Sequence, residues 1–283
     1  MNTAILLISC PDQKGITATV TNFLFSHNAN IEHADQHIDP QNNTFFMRIE
    51  WSLSGFDIPE DKITGEFKPL ADKFNMNWSL FFNADIPKVA IFASKSKHCL
   101  YDLVLKQKQS YLKCKISMII SNHSDIAPIA KSLAIPFFEF SKTPANKAEV
   151  EKKEIQLLKQ ENIDLIVLAR YHQIFTKDFV LEFPNKIINI HHSFLPAFAG
   201  SDPYSQAWDR GVKIIGATSH YVIDELDAGP IIEQDTVRIT HRNSLIDLKR
   251  EGQELERIVL SRAVRWHLER KILVYENKTV VFD

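Results

Sequence analysis

Residues 163–196, "IDLIVLARYHQIFTKDFVLEFPNKIINIHHSFLP", contain two continuously apolar runs joined by a short, more polar stretch. Runs of this length and composition are typical of strands buried on both faces of a parallel sheet. Similar runs occur elsewhere in this half of the chain, alternating with helical patterns such as "NKAEVEKKEIQLLKQEN" at 146–162. The alternation predicts an α/β unit built on a doubly wound, mostly parallel sheet. Its other strands are predicted at "KVAIFAS", "KISMIIS", "IPFFEF" and "KIIGATSHYVI".

The first part of the chain has a different pattern. Between residues 3 and 84 the order of predicted elements is strand, helix, strand, strand, helix, strand. The stretch "TFFMRIEWSL" places one set of side chains on one face and a second set on the other, which predicts a half-buried antiparallel strand. The first set is Phe45, Met47, Ile49 and Trp51, and the second is Phe46, Arg48 and Glu50. This order is a split βαβ unit, the ferredoxin-like arrangement.

A polar segment that carries Pro87 follows the predicted βαββαβ unit. Domain boundaries usually fall in such exposed linkers. We therefore predict two domains, 1–84 and 85–283.

Composition and charge narrow the class of protein. The formal net charge is -2, without a polybasic tract, which argues against nucleic acid or a membrane surface as the partner. The longest apolar stretches are about eight residues, well short of a membrane span of about 20 residues, and no signal peptide is recognised. The three cysteines lack CxxC spacing, so disulfides and structural zinc are disfavoured and a cytoplasmic protein acting on a small molecule is expected.

The candidate site follows from the sheet. Ligands bind outside the carboxyl ends of strands in open parallel sheets. That rule selects four loops, each following one of the predicted strands: "SKSKH" (94–98), "RYHQIF" (170–175), "NIHHSFLP" (189–196) and "YVIDELDAGP" (221–230).

Strand periodicity assigns directions within the third loop. Side chains alternate along a strand, so Asn189 and His191 share one face and His192 points to the other. The adjacent imidazoles therefore cannot hold one metal ion together. HExxH, GxSxG, GxGxxG and GxxxxGK[ST] are all absent from the sequence, so neither a metal nor a nucleotide cofactor is expected.

An amide and an imidazole on one face, near an acidic loop, suit acyl transfer without a covalent intermediate. The two groups can stabilise a tetrahedral oxyanion, and a carboxylate can polarise the histidine or accept a proton. The acids in the loop are Asp224, Glu225 and Asp227. The alternative, hydrogen-bonded loop residues without a chemical role, remains open from spacing alone.

Residues 189–235 resemble the folate-dependent formyltransferase superfamily. The matching elements are Asn-x-His at 189–191, Ser-x-Leu-Pro at 193–196 and Leu-Asp-x-Gly-Pro at 226–230. The stretch "CPDQKGITATVTNFLFSHNANI" resembles an ACT domain, a regulatory βαββαβ module. Together they are similar to the formyltetrahydrofolate deformylase family, and "SKSKHCLYDLV" and "NKTVVF" also fit that family.

The resemblance implies roles for individual residues. Asn189 would donate to the oxyanion, His191 would stabilise it and transfer the proton, and Asp227 would orient His191 and help to activate water. The pteridine of the substrate would lie between the second and fourth loops, with these candidate binding residues: Arg170, Gln173, Phe175, His220 and Ile223.

The implied reaction is hydrolysis of 10-formyltetrahydrofolate to tetrahydrofolate and formate, which serves one-carbon and purine metabolism. The loop "SKSKH" lacks the glycines that let a backbone approach a phosphate, which favours water over a phosphorylated amine acceptor. Two alternatives stay open: a formyltransferase with an amine acceptor, and a non-catalytic regulator that binds folate and senses an amino acid. His172 and Ser201 depart from the family pattern, which expects methionine and alanine there.

The ACT-like module implies further partners. A carboxylate of an amino-acid effector could bind at Asp12 and Gly15, where the loop opens onto a helix N-terminus. The family suggests glycine or methionine. An exposed edge strand and an apolar helix face predict self-association into a dimer or tetramer.

Overall fold

The computed structural model describes residues 2–197 and 203–283, so Ser201 lies outside the described residues. The chain divides into two compact units. The first contains Met1–Ile86, Glu269–Tyr275 and Val280–Asp283, and the second contains Pro87–Leu268 and Glu276–Thr279. The predicted division into 1–84 and 85–283 used a single boundary, whereas residues at the C-terminal end belong with the first unit.

The first unit has the predicted βαββαβ order. Its four-stranded antiparallel sheet has the strand order β2-β3-β1-β4, with both helices contributing to one core. Helix α1 buries Ile16, Val20 and Leu24 at helical spacing. The elements are β1 (Thr3–Pro11), α1 (Ile16–Ser26), β2 (Asn30–Asp39), β3 (Thr44–Ser52), α2 (Glu60–Lys73) and β4 (Asn77–Phe82).

Strand β3 is buried on both faces, so the prediction of a half-buried strand was wrong. Phe46 is 0% exposed and Arg48 is 5% exposed, although both lie on the face predicted to meet solvent. The reason is a contact from far along the chain: Phe282 packs on Phe46, and the Arg48 guanidinium donates to the carbonyl of Arg270 at 3.1 Å. Alternation within a strand cannot reveal a cover that is more than 200 residues away.

The second unit has a seven-stranded sheet of order β11-β10-β9-β8-β5-β6-β7. No helix within the described ranges is long and apolar enough to cross a membrane. The C-terminal hairpin consists of β12 (Ile272–Tyr275) and β13 (Lys278–Val281). The strands of the second unit's sheet are β5 (Lys88–Ala93), β6 (Lys115–Ser121), β7 (Phe137–Glu139), β8 (Leu165–Ala169), β9 (Ile187–His191), β10 (Ile214–Tyr221) and β11 (Ile231–Arg238). Its helices are α3 (His98–Lys108), α4 (Ala127–Leu133), α5 (Lys147–Gln160), α6 (Lys177–Glu182), α7 (Pro203–Arg210) and α8 (Leu245–Leu268).

The sheet is mostly parallel, as predicted, but β10 runs in the direction opposite to that of its two neighbours. Strands β5 to β9 pair in parallel, whereas β10 pairs antiparallel with both β9 and β11. The carboxyl end of β10 therefore lies beside the amino end of β9, with Tyr221 opposite Ile188. The loop 221–230 therefore starts at the edge of the sheet where β9 begins, and the prediction that it follows a strand parallel to β9 was wrong.

Candidate active site

The end of strand β9 carries the first two candidate residues. Asn189 and His191 are two positions apart in this strand, so they lie on the same face of the sheet. The strand residues around them, Ile188 and Ile190, are buried on the other face. His191 is 5% exposed, so its charge and tautomer depend on protein partners more than on solvent.

Asp227 is the main partner of His191. Its Oδ2 lies 3.2 Å from His191 Nδ1. Because an ionised carboxylate only accepts hydrogen bonds, this contact keeps a proton on Nδ1. The hydrogen bond from His191, and then the neighbouring His220 ring, hold the pKa of Asp227 well below its usual range, although partial burial acts in the opposite direction. His191 Nε2 is buried and has no hydrogen-bond partner among the described residues.

The loop after β10 folds back over the sheet face to bring Asp227 to this position. The Tyr221 N–H donates to the carbonyl of Pro230 at 2.9 Å, which closes the loop at its base. Asp227 has a left-handed backbone with φ of 53°. Gly229 packs directly against the backbone of Tyr221, since a Cβ at this position would overlap the Tyr221 carbonyl oxygen. The loop therefore reaches the site by close backbone packing across the sheet.

His220 joins the group from the neighbouring strand. It lies opposite Asn189 in the β9–β10 pair and is 2% exposed. Its Nδ1 donates to the Tyr221 carbonyl at 2.8 Å, while its Nε2 lies 3.3 Å from Asn189 Nδ2 and 3.7 Å from Asp227 Oδ1. Because the ring donates from Nδ1, its Nε2 can accept one N–H of the Asn189 amide, which leaves the second N–H for a ligand.

These groups line a cavity of about 380 Å³. That volume is within the usual range for a small-molecule site, roughly 300 to 1,000 Å³. One wall comes from the loop after β8 and the other from the loop after β10, so the cavity brings together every predicted catalytic and substrate-binding residue. Those residues are Asn189, His191, Asp227, Arg170, Gln173, Phe175, His220 and Ile223.

The two predicted effector residues lie elsewhere. Asp12 and Gly15 belong to the first compact unit. Gly15 has φ of 93° and precedes α1, and its carbonyl accepts the Thr19 N–H at 2.9 Å. Only glycine adopts this backbone without strain, which explains the residue type at this turn.

His192 points away from the cluster, as the alternation predicted. Its ring centroid is 5.4 Å from that of His191 and 5.6 Å from that of Tyr204. Burial, and then the nearby Arg170 guanidinium, lower the pKa of His192 to about 3. His192 is therefore neutral at physiological pH.

A buried carboxylate beside the cavity was missed by the sequence argument. Glu256 is 0% exposed, and it accepts from His98 Nε2 at 2.8 Å and from the Tyr204 hydroxyl at 2.5 Å. Arg170 Nε lies 3.5 Å from the same carboxylate. Burial raises the pKa of Glu256, but His98, Arg170 and Tyr204 outweigh it and the net shift is downward. A signal was present, because Glu256 interrupts the apolar stripe of α8.

The same region also brings three potential metal ligands together. The ligand atoms of His98, Cys99 and Glu256 lie within 4.8 Å of one another. Burial, and then the Glu256 charge, raise the pKa of the Cys99 thiol well above its usual value, which opposes the thiolate that a metal requires. The Arg170 guanidinium adds a positive charge next to Glu256. The cluster therefore does not favour a metal ion.

A second buried charge cluster lies behind the loop after β8. Lys142 Nζ is 2.7 Å from Glu154 and 3.7 Å from Glu151, and all three side chains are at most 2% exposed. Burial is the largest influence on Glu154 and raises its pKa from 4.5 to about 7, even though Lys142 opposes the shift. Near neutral pH this carboxyl group therefore binds and releases a proton.

The raised pKa of Glu154 predicts a pH-dependent stability. The folded state binds this proton more tightly than the unfolded state, so the stabilisation is present below pH 4.5 and is lost as the pH rises through about 7. We expect Glu154→Gln, which stays neutral, to gain in Tm relative to the parent protein as the pH is raised from 5 to 8. Calorimetry of both proteins across this range measures the difference. A constant Tm difference would contradict the assignment.

Comparisons with known proteins define the class. Residues 87–264 match the formyl transferase family, and residues 4–72 match the ACT domain. The fold and the Asn-His-Asp cavity therefore define an enzyme unit of the formyl transferase type, joined to an ACT domain in one chain.

Individual relatives show to which family within this class the chain belongs. The chain is 50% identical to the formyltetrahydrofolate deformylase of Synechocystis sp. over 280 residues, covering 99% of this chain and 98% of that protein. It is 50% identical to that of Bacillus subtilis over 279 residues, covering 98% and 93%. The crystal structure of a formyltetrahydrofolate deformylase from Pseudomonas syringae pv. tomato superposes with a TM-score of 0.97 at 44% identity, covering 100% and 95%. The chain belongs to the formyltetrahydrofolate deformylase family.

Proposed function

We propose that this chain hydrolyses 10-formyltetrahydrofolate to tetrahydrofolate and formate, with Asn189, His191 and Asp227 acting at the formyl carbon. Membership of the deformylase family supports the reaction. The observation that carries the assignment of residues is the contact of His191 Nδ1 with Asp227 at 3.2 Å, beside an Asn189 amide on the same sheet face and at the same cavity.

The proposed chemistry is addition of water followed by elimination of the amine. Water attacks the formyl carbon, and its proton passes to Nε2 of His191 while a new carbon–oxygen bond forms and the carbonyl oxygen becomes the oxyanion. The free N–H of Asn189 and the imidazolium of His191 stabilise the oxyanion. N10 of the folate then takes the proton from His191, the carbon–nitrogen bond breaks, and formate leaves. Asp227 remains ionised throughout and stabilises the imidazolium.

The pteridine would occupy the part of the cavity between the loops after β8 and β10. Phe175 and Ile223 offer apolar surface to the ring, and Gln173 with the irregular backbone around it offers polar groups to its edge. Arg170 and His220 line the same cavity, although both also have protein partners. The departure at His172 also lies on this wall, which makes folate affinity the property most sensitive to it.

The activity test uses purified protein, 10-formyltetrahydrofolate and EDTA, with no amine acceptor present. We expect stoichiometric formate and tetrahydrofolate, at the same rate with and without the chelator, since no proposed step uses a metal. Formation of product only after an amine is added would identify a formyltransferase. Folate binding without any turnover would identify a non-catalytic regulator.

Gly229→Ala is expected to damage both the site and the fold around it. The new methyl group would overlap the Tyr221 carbonyl, so the loop that carries Asp227 must move. Misplacing a catalytic group by about 1 Å can reduce the rate roughly a hundredfold. We expect at least that loss in kcat/KM, together with a lower Tm. Gly65→Ala in α2 serves as the control, because it also replaces a glycine but has open space around the new Cβ and no left-handed backbone. Full activity in Gly229→Ala would contradict this account of the loop.

The first unit is proposed to bind an amino-acid effector and to mediate self-association. The match to the ACT domain supports a regulatory role. The turn at Asp12 and Gly15 before α1 is the candidate position for the effector carboxylate. Edge strand β2 is exposed over most of its length and could pair with a second copy. Calorimetric titration with glycine and with methionine tests the effector, and light scattering during size-exclusion chromatography tests for a dimer or tetramer.

A further inference from the structure

The loop that forms one wall of the cavity, residues 170–176, is irregular in backbone. It runs from the end of β8 to the start of α6 without regular secondary structure. Arg170, its first residue, has a left-handed backbone with φ of 60°, which is uncommon for a long side chain. A backbone of this kind is not fixed by a strand ladder or a helix, so side-chain contacts must determine its conformation.

Glu151 supplies such a contact from helix α5. Its Oε2 accepts two hydrogen bonds from the last residue of the loop, from the Thr176 N–H at 3.0 Å and from the Thr176 hydroxyl at 2.5 Å. The same hydroxyl oxygen caps α6 by accepting the Phe179 N–H at 3.3 Å. One buried carboxylate therefore fixes the point where the loop ends and the helix begins.

Lys142 lies between the Glu151 carboxylate and the aromatic rings of the wall loop. Its ammonium lies 4.5 Å from the centre of the Phe175 ring and 5.5 Å from the centre of the Tyr171 ring. Both rings belong to the cavity lining. Phe175 in turn stacks on Phe179, with centroids 3.9 Å apart and planes 7° from parallel. The cation thus contacts, from behind, the rings whose other side faces the cavity.

Global stability alone is a poor explanation for this cluster. Taking charges out of water costs several kcal/mol per ion, and a well-packed apolar core is often at least as stable as a buried ion pair. What an ionic cluster can add is directional: charge-assisted hydrogen bonds with a defined geometry. Here the two hydrogen bonds of Glu151 come from Thr176 of the wall loop, so their effect is to fix the position of this loop.

We propose that Glu151 is a positioning residue for the folate substrate, holding the wall loop in its binding conformation, with Lys142 as its buried counter-ion. This inference rests on the proposed function for the identity of the ligand. Glu151 does not line the cavity and acts through Thr176 and the rings of Tyr171 and Phe175. Its loss should weaken substrate binding and leave the Asn189, His191 and Asp227 group unchanged.

The test compares KM with kcat in Glu151→Ala. We expect KM for 10-formyltetrahydrofolate to rise about tenfold, equivalent to about 1.4 kcal/mol, with kcat within about twofold of the parent value. The Kd for tetrahydrofolate, measured by fluorescence quenching, should rise by a similar factor. Glu151→Gln keeps an oxygen acceptor for Thr176 and should restore part of the affinity.

Leu158→Ala provides the matched control. Leu158 lies on the same helix, is 0% exposed and belongs to the same core, but it has no polar contact with the loop. Removing a buried leucine side chain leaves a cavity and lowers the stability of the fold. We expect a lower Tm with unchanged KM at a temperature where the variant is folded. If Leu158→Ala raises KM as much as Glu151→Ala does, the effect is loss of stability and the proposal is wrong.

Thr176→Ala keeps the test decisive if Glu151→Ala does not fold. It removes the hydroxyl bond to Glu151 and the cap of α6, and it leaves the backbone bond to Glu151. We therefore expect KM to rise at least about threefold, the effect of one net hydrogen bond. Parent protein that releases no formate would defeat the proposed function. Active parent protein, with Glu151 and Thr176 variants of unchanged KM, would defeat only the present inference.

Discussion

Asp227→Asn is expected to lower kcat/KM for 10-formyltetrahydrofolate by about three to four orders of magnitude. The comparable change in a serine protease triad, where asparagine preserves the geometry but reverses the tautomer of the histidine, costs about 10⁴ in kcat. Here the carboxylate lies 3.2 Å from His191 Nδ1 and keeps the proton on that nitrogen. An asparagine amide could donate to Nδ1 instead, which would place the proton on Nε2 and remove the negative charge that stabilises the imidazolium.

The position of Asp227 between two imidazoles makes its charge difficult to replace. The hydrogen bond from His191, and then the neighbouring His220 ring, hold the pKa of Asp227 well below its usual range, so the carboxylate stays ionised across the pH range of an assay. Raising the pH should therefore not restore activity to Asp227→Asn. Stability should also fall, because a carboxylate with a lowered pKa contributes stability above its unfolded pKa, and that contribution is lost in the neutral variant.

The measurement is formate release at saturating and at low substrate concentrations, together with a thermal melt. Asp235→Asn is the matched control: it makes the same change of charge in the same unit, at a surface pair with Arg262 at 3.1 Å. That variant should keep its activity, because an exposed ion pair contributes about 0 to 1 kcal/mol. A loss of less than tenfold in folded Asp227→Asn would remove Asp227 from the mechanism.

Much of the candidate site could be predicted because it depends on local geometry. The period of two in a strand is enough to place Asn189 and His191 on one face and His192 on the other. Asp227 was correctly predicted to lie near His191, but the reason was partly wrong, because β10 runs antiparallel to β9 and not parallel to it. Its loop arrives by folding across the sheet, and the close contact of Gly229 with Tyr221 that permits this is invisible in the sequence.

The contacts that could not be predicted from the sequence are those between residues far apart in the chain. The cover on Phe46 comes from Phe282, and Glu256 meets His98 from a helix 158 residues away. Such contacts depend on tertiary packing, which local patterns of hydrophobicity do not encode. The order of elements in the N-terminal βαββαβ unit was easier to predict, because each helix and strand has its own hydrophobic period.

Asn189→Ala is expected to lower kcat by about two to three orders of magnitude while leaving KM nearly unchanged. Removal of a single oxyanion donor has an effect of this size in other acyl-transfer enzymes. Asn189 Nδ2 lies 3.3 Å from His220 Nε2 and the residue lines the cavity, so one of its N–H groups is held by the protein and the second is left for a ligand. The oxyanion exists only in the intermediate and in the transition states around it, so the lost interaction should affect kcat and not ground-state binding.

Asn189→Asp distinguishes the loss of the N–H donor from the loss of side-chain volume. Aspartate has nearly the same shape, but it is acceptor-only when ionised and would place a negative charge beside the developing oxyanion. We therefore expect it to be at least as inactive as the alanine variant, although it fills the same space. Stopped-flow turnover and the Kd for tetrahydrofolate, which has no formyl oxygen, measure the two effects independently. If Asn189→Ala instead raised KM and the Kd for tetrahydrofolate at constant kcat, Asn189 would be a folate-binding residue, and the oxyanion would depend on His191 alone.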